Sequence, residues 1–133
     1  MGLNDTWIFA AGNWSQLNTS RSPPLDTYDY GDYGLVYDPS IGGLLLFSPV
    51  SGTWTFSNDS WTKLALNTSP AQYGAMFYDN ATRSVILWSG TSAETWSFAS
   101  GNWTEVAANN THLDLPGLTP VTTRISTTGS CSA

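Results

Sequence analysis

Cysteine and histidine are nearly absent from this 133-residue chain, with one of each. A single cysteine, Cys131, cannot close a disulfide within the chain, so it is an incidental thiol or the site of an intermolecular disulfide. A single histidine, His112, cannot by itself build a zinc or copper site. The sequence also contains no Ser-His-Asp, Cys-His or glycine-rich phosphate motif. We therefore expect no enzyme activity, no bound metal and no cofactor.

Charged residues are also scarce, at 11% of the chain against roughly 25% in a typical soluble domain. The net charge is −6, and the basic residues occur singly, at Arg21, Lys63, Arg83 and Arg124. Because no basic patch is available to displace phosphate counterions, neither nucleic acid nor an anionic membrane surface is an expected partner. No apolar run approaches the ~20 residues of a membrane-spanning helix, so we expect no membrane span.

Asparagine is concentrated in N-glycosylation sequons. Eight of the nine Asn residues begin an Asn-x-Ser/Thr triplet, whereas Ser and Thr together make up 34 of the 133 residues, which by chance gives about two such triplets. Turn preference accounts for part of this excess, because Asn and Thr both favour β-turns. We expect an extracellular or cell-surface glycoprotein whose acceptors are Asn4, Asn13, Asn18, Asn58, Asn67, Asn80, Asn102 and Asn109.

Aromatic residues reach 14% and recur in a fixed block. The block is Thr-Trp-x-Phe followed by a second Trp, which always lies seven residues after the first. Its three copies contain six tryptophans, a pattern more typical of a packed core than of exposed sugar platforms: Trp7, Trp14, Trp54, Trp61, Trp96 and Trp103. The seventh, Trp88, ends an apolar run and is expected to be buried as well.

A second block lies between copies of the first and occurs twice. Leu35–Asp38, a turn and Leu44–Ser48 match Met76–Asp79, a turn and Val85–Ser89, with nine residues from the Asp to the last aromatic in both copies. The second runs are apolar at four successive positions, which indicates strands covered on both faces. The turn residues between the runs predict hairpins. Together the two blocks indicate duplicated units of four short strands.

In these residues the chain resembles the kelch-type repeats of β-propellers, in the degenerate form found in secreted prokaryotic proteins. The resemblance covers about residues 3–108 and implies an all-β fold of four-stranded antiparallel blades, two complete and one half; a β-sandwich is the alternative. The chain departs from the family at the diglycine, since Phe47 and Trp88 are followed by at most one Gly. The copper sites of the oxidases with this propeller need several His and Tyr ligands and are not implied here.

The units divide the chain into a leading half unit with an acidic loop (1–32), a first repeat unit (33–72), a second repeat unit (73–112) and a Thr/Ser/Pro-rich tail (113–133). A propeller usually needs four to eight blades, so two and a half would leave apolar flanks and a strand edge open. We expect neighbouring subunits to cover them. Within the tail, Val121–Ser126 is either part of a flexible stalk or a strand donated to a neighbour's sheet.

Acidic residues offer little further chemistry. Asp26, Asp29 and Asp32 are spaced to suit a calcium loop, but they do not follow the EF-hand pattern, and a solvated loop is the simpler interpretation. Asp38 and Asp79 are repeat-equivalent turn residues, so we expect a structural role for them rather than glycoside hydrolysis.

Three functions remain open at this point. The first is an extracellular structural subunit that self-assembles into a filament, a surface layer or an oligomeric propeller. The second is a carbohydrate-binding or adhesion module that uses exposed aromatic side chains. The third is a part of a longer enzyme whose active residues lie elsewhere.

Overall fold

A computed structural model describes residues 4–24 and 33–106 of the chain. All regular elements in these two ranges are β-strands, which confirms the predicted all-β class. The acidic residues at 26–32, together with Asn109, His112, Cys131 and the tail, lie outside the described residues. The strands are β1 Thr6–Ala10, β2 Asn13–Leu17, β3 Gly34–Asp38, β4 Gly43–Ser48, β5 Gly52–Ser57, β6 Ser60–Lys63, β7 Ala75–Asp79, β8 Ser84–Ser89, β9 Glu94–Ala99 and β10 Asn102–Val106.

The ten strands form three antiparallel sheets in simple chain order. Strands β1 and β2 form a two-stranded unit, the leading hairpin. Strands β3 to β6 form the first sheet, and β7 to β10 form the second sheet. The predicted four-stranded antiparallel sheets are therefore present, and a two-stranded sheet precedes them.

Local turn chemistry explains why the chain reverses where it does. In the turns between β3 and β4 and between β7 and β8, the Asp38 and Asp79 carboxylates accept the backbone N–H of Ser40 at 2.9 Å and of Ala81 at 3.1 Å. These bonds give the turn a local partner for its backbone N–H groups. They agree with the structural role predicted for both aspartates.

The other repeated turn is a two-residue hairpin loop with φ positive at both residues. It joins β1 to β2, β5 to β6 and β9 to β10, at Ala11-Gly12, Asn58-Asp59 and Ser100-Gly101. Positive φ at both central residues is the requirement of a type I′ turn, whose twist matches that of the flanking strands. Gly and Asn meet this requirement with little strain.

The same aromatic pair flanks each of these three turns. Phe9 is opposite Trp14, Phe56 is opposite Trp61, and Phe98 is opposite Trp103. The ring centroids lie 4.9, 5.0 and 5.2 Å apart in a tilted or edge-to-face arrangement, which is favourable for aromatic rings. The three units therefore share the register of this hairpin and the contact between its two rings.

The hydrophobic core lies between the first and second sheets, where β3 runs beside β7. Its buried members come from both sheets: Leu45, Phe47, Val85, Leu87, Phe98 and Trp103. Strands β4 and β8 are the most completely buried strands, and they carry four of these six core side chains. This burial explains their almost uninterrupted apolar sequences.

Candidate functional site

The six repeat tryptophans have very different environments despite their identical sequence setting. Trp103 is only 2% exposed and Trp54 is also buried, whereas Trp7 and Trp14 are 49% and 65% exposed. Trp61, Trp96 and the non-repeat Trp88 are half-buried. The expectation that all of the repeat tryptophans lie in a core is therefore wrong for the two in the leading hairpin.

The two exposed tryptophans share one face of the leading hairpin. Trp7 and Phe9 alternate along β1, and Trp14 is directly opposite Phe9, so the three side chains project from the same side. We call this side the leading face. The opposite side of the hairpin carries Thr6, whose hydroxyl accepts a hydrogen bond from the Trp61 indole of the first sheet. The leading face therefore points away from the rest of the described chain.

Local hydrogen bonds hold the first tryptophan of each block in place. The Trp7 indole donates to the Asp5 carboxylate at 2.7 Å, and the Trp96 indole donates to Glu94 at 2.9 Å. The equivalent Trp54 indole donates to a backbone carbonyl at 3.1 Å. Trp7 is therefore held by a carboxylate two residues before it, as the half-buried Trp96 is, although little covers Trp7.

A second uncovered surface lies on the first sheet. Leu35 and Tyr37 of β3 are 54% and 56% exposed, and we call this pair the open flank. Their repeat equivalents in β7, Met76 and Tyr78, pack against the core between the two sheets. The difference arises because β3 lies beside β7, whereas neither strand of the leading hairpin lies beside the other face of β3.

The Thr that begins each block has a role that was not predicted from the sequence. Thr6, Thr53 and Thr95 each precede the first Trp of a block, and the first two accept indole hydrogen bonds from the following unit, at 2.8 and 2.9 Å. The signal was available, because the Thr is constant in all three copies of the block.

Seven of the eight predicted glycosylation sites fall within the described residues, and all seven Asn side chains are exposed. Asn58 lies in a type I′ turn, Asn13 and Asn102 directly follow such turns, and Asn80 lies in the turn after β7. The remaining described sites are Asn4, Asn18 and Asn67. Their exposure is compatible with glycan attachment, which stays a prediction.

Residues with metal-binding potential are not gathered in the described ranges. No three His, Cys, Asp or Glu side chains there are grouped in a way that could hold a metal ion. No helix among those residues is long and apolar enough to cross a membrane. Hydrogen bonds from the Thr82 hydroxyl and from the Ala81 backbone N–H lower the pKa of Asp79 below 3.8, as expected for a carboxylate that accepts turn hydrogen bonds.

No protein-family model, no curated protein and no solved structure matches the chain. The leading face, the open flank and the exposed sequons are the features of the described residues that bear on function.

Proposed function

We propose that the chain is an extracellular, N-glycosylated structural subunit that self-assembles into a filament, a surface layer or an oligomeric ring of kelch-like blades. One observation carries the proposal. The leading face has the register and the aromatic pair that are buried between the two sheets, yet it is exposed. Aromatic surface of this kind marks an interaction site on a soluble protein.

The arrangement of the sheets supports blade-like units. In a propeller, four-stranded sheets are repeated radially, and each sheet packs on the next one in the chain. Here the first strands of successive sheets, β3 and β7, lie side by side. The indole-to-hydroxyl hydrogen bond also joins the leading hairpin to the first sheet and the first sheet to the second. This hydrogen bond therefore recurs from one interface to the next, as expected for stacked repeats.

Self-assembly is tested by sedimentation velocity of the full chain over a wide concentration range, with negative-stain microscopy of the same samples. We expect species larger than the 14.4 kDa monomer that grow with concentration. Replacing Trp7 and Phe9 together by Ser should abolish them. Val50→Ser is the matched control, because Val50 is 66% exposed but lies outside the leading face. Discrete monomers at every concentration would refute the proposal.

Glycosylation is tested separately by intact mass spectrometry of protein from its native source. The exposed sequons lead us to expect a mass well above 14.4 kDa, which returns to that value after enzymatic release of N-glycans. A native mass equal to that of the bare chain would remove the glycoprotein part of the proposal and leave self-assembly to be judged by sedimentation.

Carbohydrate binding is the second candidate, because the exposed rings of Trp7 and Trp14 are of the type that stacks on sugars. Titration with oligosaccharides, followed by tryptophan fluorescence and a glycan array, distinguishes it from self-assembly. Saturable quenching that is lost in Trp14→Ala, in protein that stays monomeric, would favour the binding module over the structural subunit.

A further inference from the structure

The same indole-to-hydroxyl hydrogen bond joins successive units at both places where two units meet. The Trp61 indole nitrogen donates to the Thr6 hydroxyl at 2.8 Å, and the Trp103 indole nitrogen donates to the Thr53 hydroxyl at 2.9 Å. In both cases the later unit supplies the second Trp of its block, and the earlier unit supplies the Thr. The contact is therefore directional along the chain.

The chain contains one further donor and one further acceptor of this kind, which do not bond to each other. Trp14 is the donor at the beginning of the series, and its indole has no hydrogen-bond partner among the described residues. Thr95 is the acceptor at the end of the series, and within the same ranges its hydroxyl makes no hydrogen bond. Trp14 is 65% exposed and Thr95 is half-buried.

The surroundings of Thr95 also match those of Thr53. Thr53 is directly opposite Phe47 in the first sheet, and the Trp103 ring packs against Phe47 with the centroids 5.5 Å apart. In the second sheet, Thr95 is directly opposite Trp88. An incoming tryptophan would therefore find both a hydroxyl acceptor and an aromatic edge. We call the side of the second sheet that bears these two residues the trailing face.

We propose that the leading face of one copy of this chain docks on the trailing face of a second copy, with the Trp14 indole donating to the Thr95 hydroxyl and the Trp14 ring packing on Trp88. The occupant is a second copy because this contact would continue the interface that already joins the units within one chain. The inference rests on the proposed self-assembly and specifies its geometry.

Such a contact joins two different surfaces, so it is heterologous and repeats from copy to copy. It produces a ring if the rotation per copy closes, and a filament if it does not. The exposed sequon residue Asn102 is on the same side of the second sheet as Thr95. Its equivalent, Asn13, is on the side of the leading hairpin that bears Thr6 and meets the first sheet, and Asn13 is nevertheless exposed. By analogy, Asn102 would stay exposed in the docked pair, so a glycan on it need not block docking.

Two single variants, mixed, test the geometry. Trp14→Arg blocks the leading face, and Thr95→Arg blocks the trailing face. Each variant alone should be monomeric in sedimentation velocity. The equimolar mixture should form a 1:1 heterodimer of twice the 14.4 kDa monomer mass that does not grow further, because one intact face of each kind remains. Circular dichroism and urea unfolding establish that both variants are folded.

A milder variant covers the case in which Thr95→Arg does not fold. Thr95→Val keeps the shape of the side chain and removes the acceptor, so it should weaken association about two- to ten-fold. If Thr95→Arg still assembles alone, or if the mixture stays monomeric while the unmodified chain assembles, the head-to-tail contact is refuted and self-assembly survives. If the unmodified chain is monomeric, both proposals fail.

Discussion

Replacing Thr53 by Val removes one oxygen atom from the interface between the two sheets. The Trp103 indole N–H donates a hydrogen bond to the Thr53 hydroxyl at 2.9 Å. Since Thr53 and Trp103 are only 3% and 2% exposed, water cannot replace this acceptor. The substitution leaves a buried donor without a partner while keeping the volume of the side chain. We expect a loss of about 1–3 kcal/mol of unfolding free energy, because that is the usual cost of such a group.

Thr6→Val is the matched control, because Thr6 accepts the equivalent bond from Trp61 at 2.8 Å. Both of these residues are only half-buried, so water can replace the lost acceptor and the cost should be about 0.5 kcal/mol or less. Urea unfolding followed by tryptophan fluorescence gives both values, as shifts in midpoint at constant slope. Equal losses at the two positions, or no loss in Thr53→Val, would refute the reasoning.

A double-mutant cycle then isolates the hydrogen bond from other effects of substitution. Trp103→Phe removes the donor, and combining it with Thr53→Val removes both partners, so the double variant should be more stable than the sum of the single losses predicts. We expect a coupling energy of about 1 kcal/mol. Additive losses would mean that the bond contributes nothing to the folded state.

Further predictions follow from other residues of the repeat. Trp103→Ala should cost about 3–5 kcal/mol of unfolding free energy, because it leaves a cavity in the core. Trp14→Ala should cost less than about 1.5 kcal/mol, because it leaves no such cavity. Similar urea midpoints for the two variants would contradict this difference. Asp79→Asn should be less stable than the parent chain at pH 6, since a carboxylate whose pKa is lowered on folding stabilises above its unfolded pKa of 3.8. That difference in melting temperature should shrink as the pH falls below 3.8 through the folded pKa, and a gap that is constant down to pH 2 would contradict the role of the Thr82 hydrogen bond. Gly43→Ala should cost about 1–3 kcal/mol, because its Cβ would lie 2.1 Å from a backbone oxygen of β5; an unchanged melting temperature would contradict the close approach.

The strands and their order were predictable because the signals are local. The Thr-Trp-x-Phe blocks alternate as a strand requires, and the turn at Asp38 uses a side chain that bonds its own backbone. The duplication supports each predicted strand, since equal spacing in two copies is improbable for unrelated segments.

The exposure of individual tryptophans was not predictable in the same way. Trp14 and Trp103 occupy the same position in two copies of the block, and each is opposite the equivalent Phe of its own copy. Their exposed fractions are nevertheless 65% and 2%. Burial is decided by whether another sheet lies against the side chain, and that depends on the unit's position in the series, not on its local sequence. The candidate interaction surface therefore became visible only when the sheets were placed against one another.

The directional bond from Trp to Thr has a consequence for how such a chain can change in length. In each bond the earlier unit contributes the threonine and the later unit contributes the tryptophan. The spacing from Trp54 to Trp96 is 42 residues. Duplicating one stretch of this length would insert a unit that has both bonding partners for its new neighbours. The first and last surfaces stay as they were. Variation in unit number therefore requires no compensating substitution at this hydrogen bond between units.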